Sequence, residues 1–214
     1  MKGDLALPAP LLAGARAPPL ARRHQPTMSG AQNIEGVGPE TANKVFDPLR
    51  LADMASPKTL AWYRHAELKH GRVAMLAWTG FAYMSIPNAP LFPGAIDQAG
   101  TTFAQLGHDP FAAWAAVPLL GKTQILLTLG ALEFASETEK PHYMSGGTPG
   151  KVTILGASLA PSTLFLKNKT PAEVAEKRIS ELKNGRLAMI GAISVFAAHN
   201  IPGSVPAFGS GALW

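Results

Sequence analysis

The chain has 214 residues, enough for one domain of ordinary size and too few for two comfortable ones, and it contains no cysteine, which excludes disulfide scaffolds, thiolate metal sites and cysteine nucleophiles. Charged residues make up 15% against 47% hydrophobic, a balance low in charge for a soluble domain. The net charge of +5 is sorted along the chain, with ten of the 19 Lys and Arg between Lys2 and Arg72, eight between Lys140 and Arg186, Lys122 alone in the gap and none after Arg186. That sorting is the positive-inside asymmetry of a polytopic membrane protein and gives no reason to expect nucleic acid as a partner.

Residues 1–27 are rich in Ala, Pro, Leu and Arg, with Arg16, Arg22 and Arg23 set against one acid, Asp4. An acid-poor, Arg-bearing start reads as an organelle-targeting segment, with a plain disordered leader as the alternative, and leaves 28–214 as the functional domain. The first long helix is expected to start at Pro57 with Ser56 as N-cap and to run to Ile86, where Pro87 stops it. Residues Thr101 to Trp114 are read either as a short amphipathic helix turning Phe103, Leu106 and Phe111 toward lipid or pigment, or as a loop. Lys122, the lone cation of its region, is expected to snorkel to an interface or to pair with Asp109. The second long helix is expected from near Pro118 to about Glu137. The third opens on Thr170-Pro171-Ala172-Glu173, a capping box, and ends near Asn200 before Pro202-Gly203.

A nine-residue string occurs twice, as Glu67-Leu68-Lys69-His70-Gly71-Arg72-Val73-Ala74-Met75 and as Glu181-Leu182-Lys183-Asn184-Gly185-Arg186-Leu187-Ala188-Met189, identical at seven positions. The uninterrupted apolar stretches that follow, Val73 to Ile86 and Leu187 to Ala198, are shorter than the ~20 residues a bilayer needs. Each span reaches full length only if its Glu, His or Asn, and Arg enter the membrane too, which is costly unless the charges are paired. Within one helix Glu67 and Arg72 lie about 140° apart around the axis and do not meet. The expected fold is therefore all-α, with three transmembrane helices whose first and third members cross about a pseudo-two-fold axis along the membrane normal. Glu67 then pairs with Arg186 and Glu181 with Arg72, so that loss of Arg186 leaves Glu67 alone. Gly71, Ala74, Gly185, Ala188 and Gly191 permit close approach. His70 and Asn184, three residues after each Glu, turn outward and offer neutral Lewis bases for one axial position on a metal held by something else, such as the magnesium of a chlorophyll.

The two strings on the first and third of three helices, with Phe46-Asp47-Pro48-Leu49 ahead of the first, resemble the signatures of the light-harvesting chlorophyll-binding antenna superfamily. Short connections and Ile201-Pro202-Gly203-Ser204-Val205-Pro206 make the resemblance nearest to the algal chlorophyll a/c antennae of the fucoxanthin or peridinin type. It implies that Glu67, His70, Glu181 and Asn184 ligate chlorophyll magnesium, that Arg72 and Arg186 complete the ion pairs, and that Gln124, Glu133 and His199 are further ligands. Gln124 and Glu133 are nine residues apart, on opposite faces of their helix, so they serve different pigments. Implied cofactors are chlorophyll a, chlorophyll c rather than b, and fucoxanthin- or peridinin-type carotenoids in the grooves of the crossing. No Phe-Asp-Pro-like element recurs in Pro161 to Asn168, so a second central carotenoid would be held differently. The implied setting is the plastid thylakoid membrane, N-terminus stromal and C-terminus lumenal, with a photosystem I or II core, neighbouring antenna subunits and thylakoid lipids as partners.

No nucleophile, base and orienting group recur at catalytic spacing, so no enzyme is expected. Energy dissipation on the same scaffold, or a small ion or proton transporter built on the intramembrane Glu, His and Arg, are the alternatives; a transporter requires a hydrated polar track. Met75 and Met189 read as packing, Trp62, Trp78 and Trp114 as interfacial or pigment-contact residues, and His65 as facing solvent or headgroups, with a ligand role as its alternative. His24, His108 and His142 carry no signal.

Overall fold

The computed structural model describes residues 35–86, 92–151, 153–154, 157–158 and 170–208, whose regular structure is almost all helix. They are α1 (Leu51–Met54), α2 (Pro57–Met84), α3 (Phe103–Leu106), α4 (Pro110–Ala116), α5 (Leu119–Glu137) and α6 (Pro171–Asn200). A two-stranded antiparallel pair joins Thr153–Ile154 to Ala157–Ser158, in the register Thr153 to Ser158 and Ile154 to Ala157. Pro87, residues 1–27 and the stretch Pro161 to Asn168 lie outside the described residues.

The two longest helices begin in the same way. Ser56 Oγ accepts from Thr59 N–H at 3.2 Å, with Pro57 at the first helical position. Thr170 Oγ1 accepts from Glu173 N–H at 3.4 Å while Glu173 Oε2 accepts from Thr170 N–H at 2.7 Å, again with Pro in the first turn. Each cap satisfies N–H groups that a helix start otherwise leaves without partners. With 28 and 30 residues, α2 and α6 are about 42 and 45 Å long.

They cross at two glycines. A Cβ added to Gly71 would stand 3.0 Å from Gly185 Cα, and one added to Gly185 would stand 3.0 Å from Gly71 Cα. The backbones meet at a distance that no larger residue permits without displacement. Around this crossing lies the whole described apolar core, Leu68, Ala74, Leu182, Ala188 and Val195. Outside it the long helices turn large apolar side chains outward, Val73, Leu76, Leu126, Leu127, Leu187, Ile190 and Ile193 among them. A core this thin beside so much exposed apolar surface leaves most of the helical faces uncovered by the described residues.

Two loops dock on the crossing in equivalent ways. Gly36 (φ +94°) sits against Leu182 and Gly150 (φ +79°) against Leu68, each in the left-handed region and each so close that a Cβ would collide with the leucine. Asp47 turns the entry to α1, its carboxylate accepting from Leu51 N–H at 2.9 Å and Ala52 N–H at 2.6 Å. Where one short helix or a loop was expected between Thr101 and Trp114, two helices form, because Gly107 (φ +72°) ends α3 and Asp109 caps α4, accepting from Phe111 N–H at 2.9 Å. Lys122 therefore does not pair with Asp109. It donates to Ala115 O at 3.1 Å and lies over the Trp114 ring at 5.6 Å from its centre. Phe111 then packs edge-on against Phe196 and stacks on Phe81, which fixes α4 across the ends of α2 and α6.

Among the described residues no single helix is long and apolar enough to cross a membrane by hydropathy, although α4 and α5 together meet that test across a 105° bend.

Candidate functional site

Two ion pairs bridge α2 and α6 in reciprocal fashion. Arg72 Nε donates to Glu181 Oε1 at 2.6 Å, and Arg186 Nε donates to Glu67 Oε1 at 2.7 Å. Each arginine spends a second donor on a loop glycine, Arg72 Nη1 on Gly150 O and Arg186 Nη1 on Gly36 O at 2.7 Å. The loops thus fix the fork of each guanidinium while the carboxylate takes the other edge.

The reciprocity is incomplete, and here the structure departs from expectation. Arg64 Nη1 donates to Glu67 Oε2 at 2.7 Å, so both oxygens of Glu67 are engaged and Arg186 is not its sole partner. Arg64 also reaches Glu35 O. The corresponding arginine on α6, Arg178, turns instead to Glu35 Oε2 at 3.6 Å. Among the described residues Glu181 is left with one cation and its Oε2 has no hydrogen-bond partner.

His70 and Asn184 project outward on the exposed sides of the crossing, held in matching ways. His70 Nδ1 lies 2.8 Å from Ala66 O, four residues back. A carbonyl only accepts, so Nδ1 carries the proton and Nε2 keeps a bare lone pair. Asn184 Nδ2 donates to Ser180 O at 3.0 Å and to Ser180 Oγ at 3.3 Å, which leaves its carbonyl oxygen outward. In both cases one side-chain atom is anchored to the helix and the remaining atom is a neutral donor of an electron pair, as in histidine sites whose second nitrogen is fixed by a backbone carbonyl.

A cavity of about 540 Å³ opens beside this geometry, lined by Val73, Ala74, Ala77, Met189, Ala192, Ile193 and Phe196, with Lys69, His70 and Glu133 among its lining residues. A second, of about 620 Å³, runs from Phe46, Asp47 and Leu51 past Leu60 to Arg64, Glu67 and Arg186. Gln124 is exposed on α5. Glu133 is exposed too, but its Oε2 accepts from Lys69 Nζ, a link from α2 that sequence reasoning did not anticipate. His199 lies face to face with Phe111, ring centres 3.9 Å apart, so its edge rather than its face is available.

His65 is the clearest correction. Expected to face solvent or headgroups, it is 5% exposed, stacks on Tyr143 at 3.9 Å and accepts from Gly150 N–H at Nδ1, 3.0 Å away. His142, without signal in the sequence, approaches Glu137 Oε2 at 3.1 Å, as does the Tyr143 hydroxyl at 3.0 Å. Burial, followed by the bond to Glu137, pushes the Tyr143 phenol above its ordinary range. Among the described residues no group of His, Asp and Glu is arranged to hold a bare metal ion.

Residues 31–200 match the family model described as chlorophyll A-B binding protein. The chain is 31% identical over 197 residues to fucoxanthin-chlorophyll a-c binding protein C, chloroplastic, of Phaeodactylum tricornutum, covering 89% of this chain and 92% of that one. It is 32% identical over 166 residues to fucoxanthin-chlorophyll a-c binding protein A of Macrocystis pyrifera, 77% of this chain and 71% of the other. A third relative, from Chattonella marina var. antiqua, is 30% identical over 180 residues, 83% and 74% of the two chains.

Proposed function

The chain belongs to the chlorophyll a-b binding protein family, and from that premise we propose that it holds chlorophyll a, chlorophyll c and fucoxanthin- or peridinin-type carotenoids. It is a light-harvesting antenna protein of the algal chlorophyll a/c kind and not an enzyme. Bound chlorophyll supplies the absorption of light and the passage of excitation. The protein's part is to bind, orient and separate.

The observation that carries this reading is the matched anchoring of His70 to Ala66 O and of Asn184 to Ser180 O, because it leaves Nε2 and the amide oxygen as single outward donors. Such a donor fits a metal whose other positions a macrocycle already fills. Glu67 and Glu181 add carboxylates, the charge of Glu181 answered by Arg72 and that of Glu67 by Arg186 together with Arg64, so neither presents a bare negative charge to a ring bound there. Gln124, Glu133 and His199 are the further ligands proposed. The two cavities at the crossing suit elongated molecules with an apolar body, the second of them having Asp47 toward one end and Arg64, Glu67 and Arg186 toward the other.

The helices α2, α5 and α6 are the three membrane spans in this reading, the first and last related by a two-fold axis along the membrane normal. Charges in α2 and α6 lower their hydropathy, yet those at the crossing, Glu67, Arg72, Glu181 and Arg186, are answered across it, and helices about 42 and 45 Å long exceed the ~30 Å hydrocarbon core. The basic face that carries the N-terminus is stromal, the C-terminus lumenal, and the membrane is the plastid thylakoid. Residues 1–27 serve as the targeting segment, 28–214 as the pigment-binding domain. Partners are a photosystem I or II core, neighbouring antenna subunits and thylakoid lipids.

Reconstitution with chlorophylls a and c and a carotenoid tests the assignment. Strong red and blue bands, with chlorophyll emission on carotenoid excitation, are expected; His70→Ala and Asn184→Ala should each remove one chlorophyll. A colourless protein that conducts ions in vesicles would instead favour a transporter.

A further inference from the structure

We propose that Lys69 is the counter-charge of Glu133 and thereby decides whether α5 holds a tetrapyrrole at that carboxylate, an inference that rests on the antenna function proposed above. The two repeats carry lysine at the same place, Lys69 and Lys183, but use it differently. Lys183 meets Glu40 at 3.1 Å, where both side chains are well exposed. Lys69 has its side chain only 18% exposed and reaches from α2 to α5, donating to Glu133 Oε2, to Ser136 Oγ at 3.1 Å and to Glu137 Oε1 at 3.2 Å.

The arrangement follows the rule seen twice at the crossing. A glutamate that ligates magnesium beside apolar surface needs a cation to answer its charge. Glu181 has Arg72 and Glu67 has Arg186. Helix α5 has one cation of its own, Lys122, and that lies about 16 Å along the axis from Glu133, so the answering charge must come from another helix. Of the two acids that Lys69 meets, Glu137 already accepts from Tyr143 Oη at 3.0 Å and faces His142 Nε2 at 3.1 Å. Among the described residues Glu133 has no such donors and its Oε1 has no partner. Lys69, His70 and Glu133 together line the apolar cavity walled by Val73 and Met189. The lysine is thus a positioning residue, setting the charge and direction of the ligand without touching magnesium.

The test is pigment stoichiometry in reconstituted full-length protein, with helix content followed by circular dichroism. Lys69→Met should lose one chlorophyll per chain together with its component of the red absorption band, and Lys69→Arg should keep it. Lys69→Met/Glu133→Gln should regain it, because a neutral amide ligand needs no counter-charge. A full complement in Lys69→Met, a full complement in Glu133→Ala, or the same loss in the double variant as in Lys69→Met would overturn the inference; the last result would make Lys69 a mere tie between helices. Should Lys69→Met not assemble, the double variant decides alone, full loading supporting the inference and failure overturning it. Wild-type protein that binds no chlorophyll would refute the antenna function itself, which is a separate outcome.

Discussion

Replacing Arg72 by leucine should damage the protein more than replacing Arg186, although the two occupy the same place in the repeat. Each change removes one Nε bond to a glutamate and one Nη1 bond to a loop carbonyl, Gly150 O or Gly36 O. What differs is the carboxylate left behind. Glu181 has no second cation among the described residues, whereas Glu67 keeps Arg64 at 2.7 Å. Stranding one member of a buried pair costs ~3–5 kcal/mol. Arg72 and Glu181 are each 31% exposed before pigment covers them, which reduces the figure for Arg72→Leu to roughly 2–3 kcal/mol. A retained charge-assisted hydrogen bond is worth ~1.5–3 kcal/mol, about half of it at this exposure, so Arg186→Leu should be milder by about 1 kcal/mol. Thermal release of pigment, read as loss of visible circular dichroism in the two variants and in Arg64→Leu/Arg186→Leu, measures the difference. The double variant should fall to the level of Arg72→Leu or below. Equal midpoints for the two single variants, or an Arg186→Leu protein weaker than Arg72→Leu, would refute the account of Arg64 as a second anchor.

Three further outcomes are expected. Gly71→Ala and Gly185→Ala should each cost ~1–3 kcal/mol, and by similar amounts, since either Cβ meets the opposing Cα at 3.0 Å; unequal thermal midpoints would mean the crossing is not reciprocal. His65→Phe preserves the stack on Tyr143 but leaves Gly150 N–H without its buried acceptor, at ~1–3 kcal/mol, which should appear as faster amide exchange at Gly150. Asp97 accepts from the hydroxyl and amide of Thr101, both at 2.8 Å, and these bonds hold its carboxyl below the ordinary 3.8. A depressed folded value means that the contribution to the 97–101 turn is complete above 3.8 and is lost as pH falls through the folded value. The Thr101 amide shift should therefore titrate below 3.8, and a midpoint above it would count against the turn.

Much of the architecture was legible because it is written in local chemistry. Ser56-Pro57 and Thr170-Pro171-Ala172-Glu173 announce helix starts through bonds made within one turn, and α2 and α6 begin where those residues stand. The duplicated strings made the pairing of α2 with α6 legible as well. Five-residue spacing forbids Glu67 from meeting Arg72, and two like segments with complementary charges have few other ways to neutralise them. Cap, period and repeat are properties of neighbours along the chain.

Contacts that join distant segments could not be read this way. Nothing beside His65 in the sequence says that Gly150, 85 residues later, will place an N–H against its Nδ1, and an exposed histidine was the natural expectation. The loop carbonyls of Gly36 and Gly150, the second guanidinium on Glu67 and the reach of Lys69 across to Glu133 are of the same kind. The sequence by itself determined the helices, their caps and the two charged, ligand-bearing segments, since these depend on spacing and side-chain type. The tertiary structure alone decided how those segments differ, giving one glutamate two cations and the other a single one and turning one lysine toward α5 and its twin toward Glu40. Such choices depend on which loop or helix folds back over each copy, and two nearly identical strings contain no information about that.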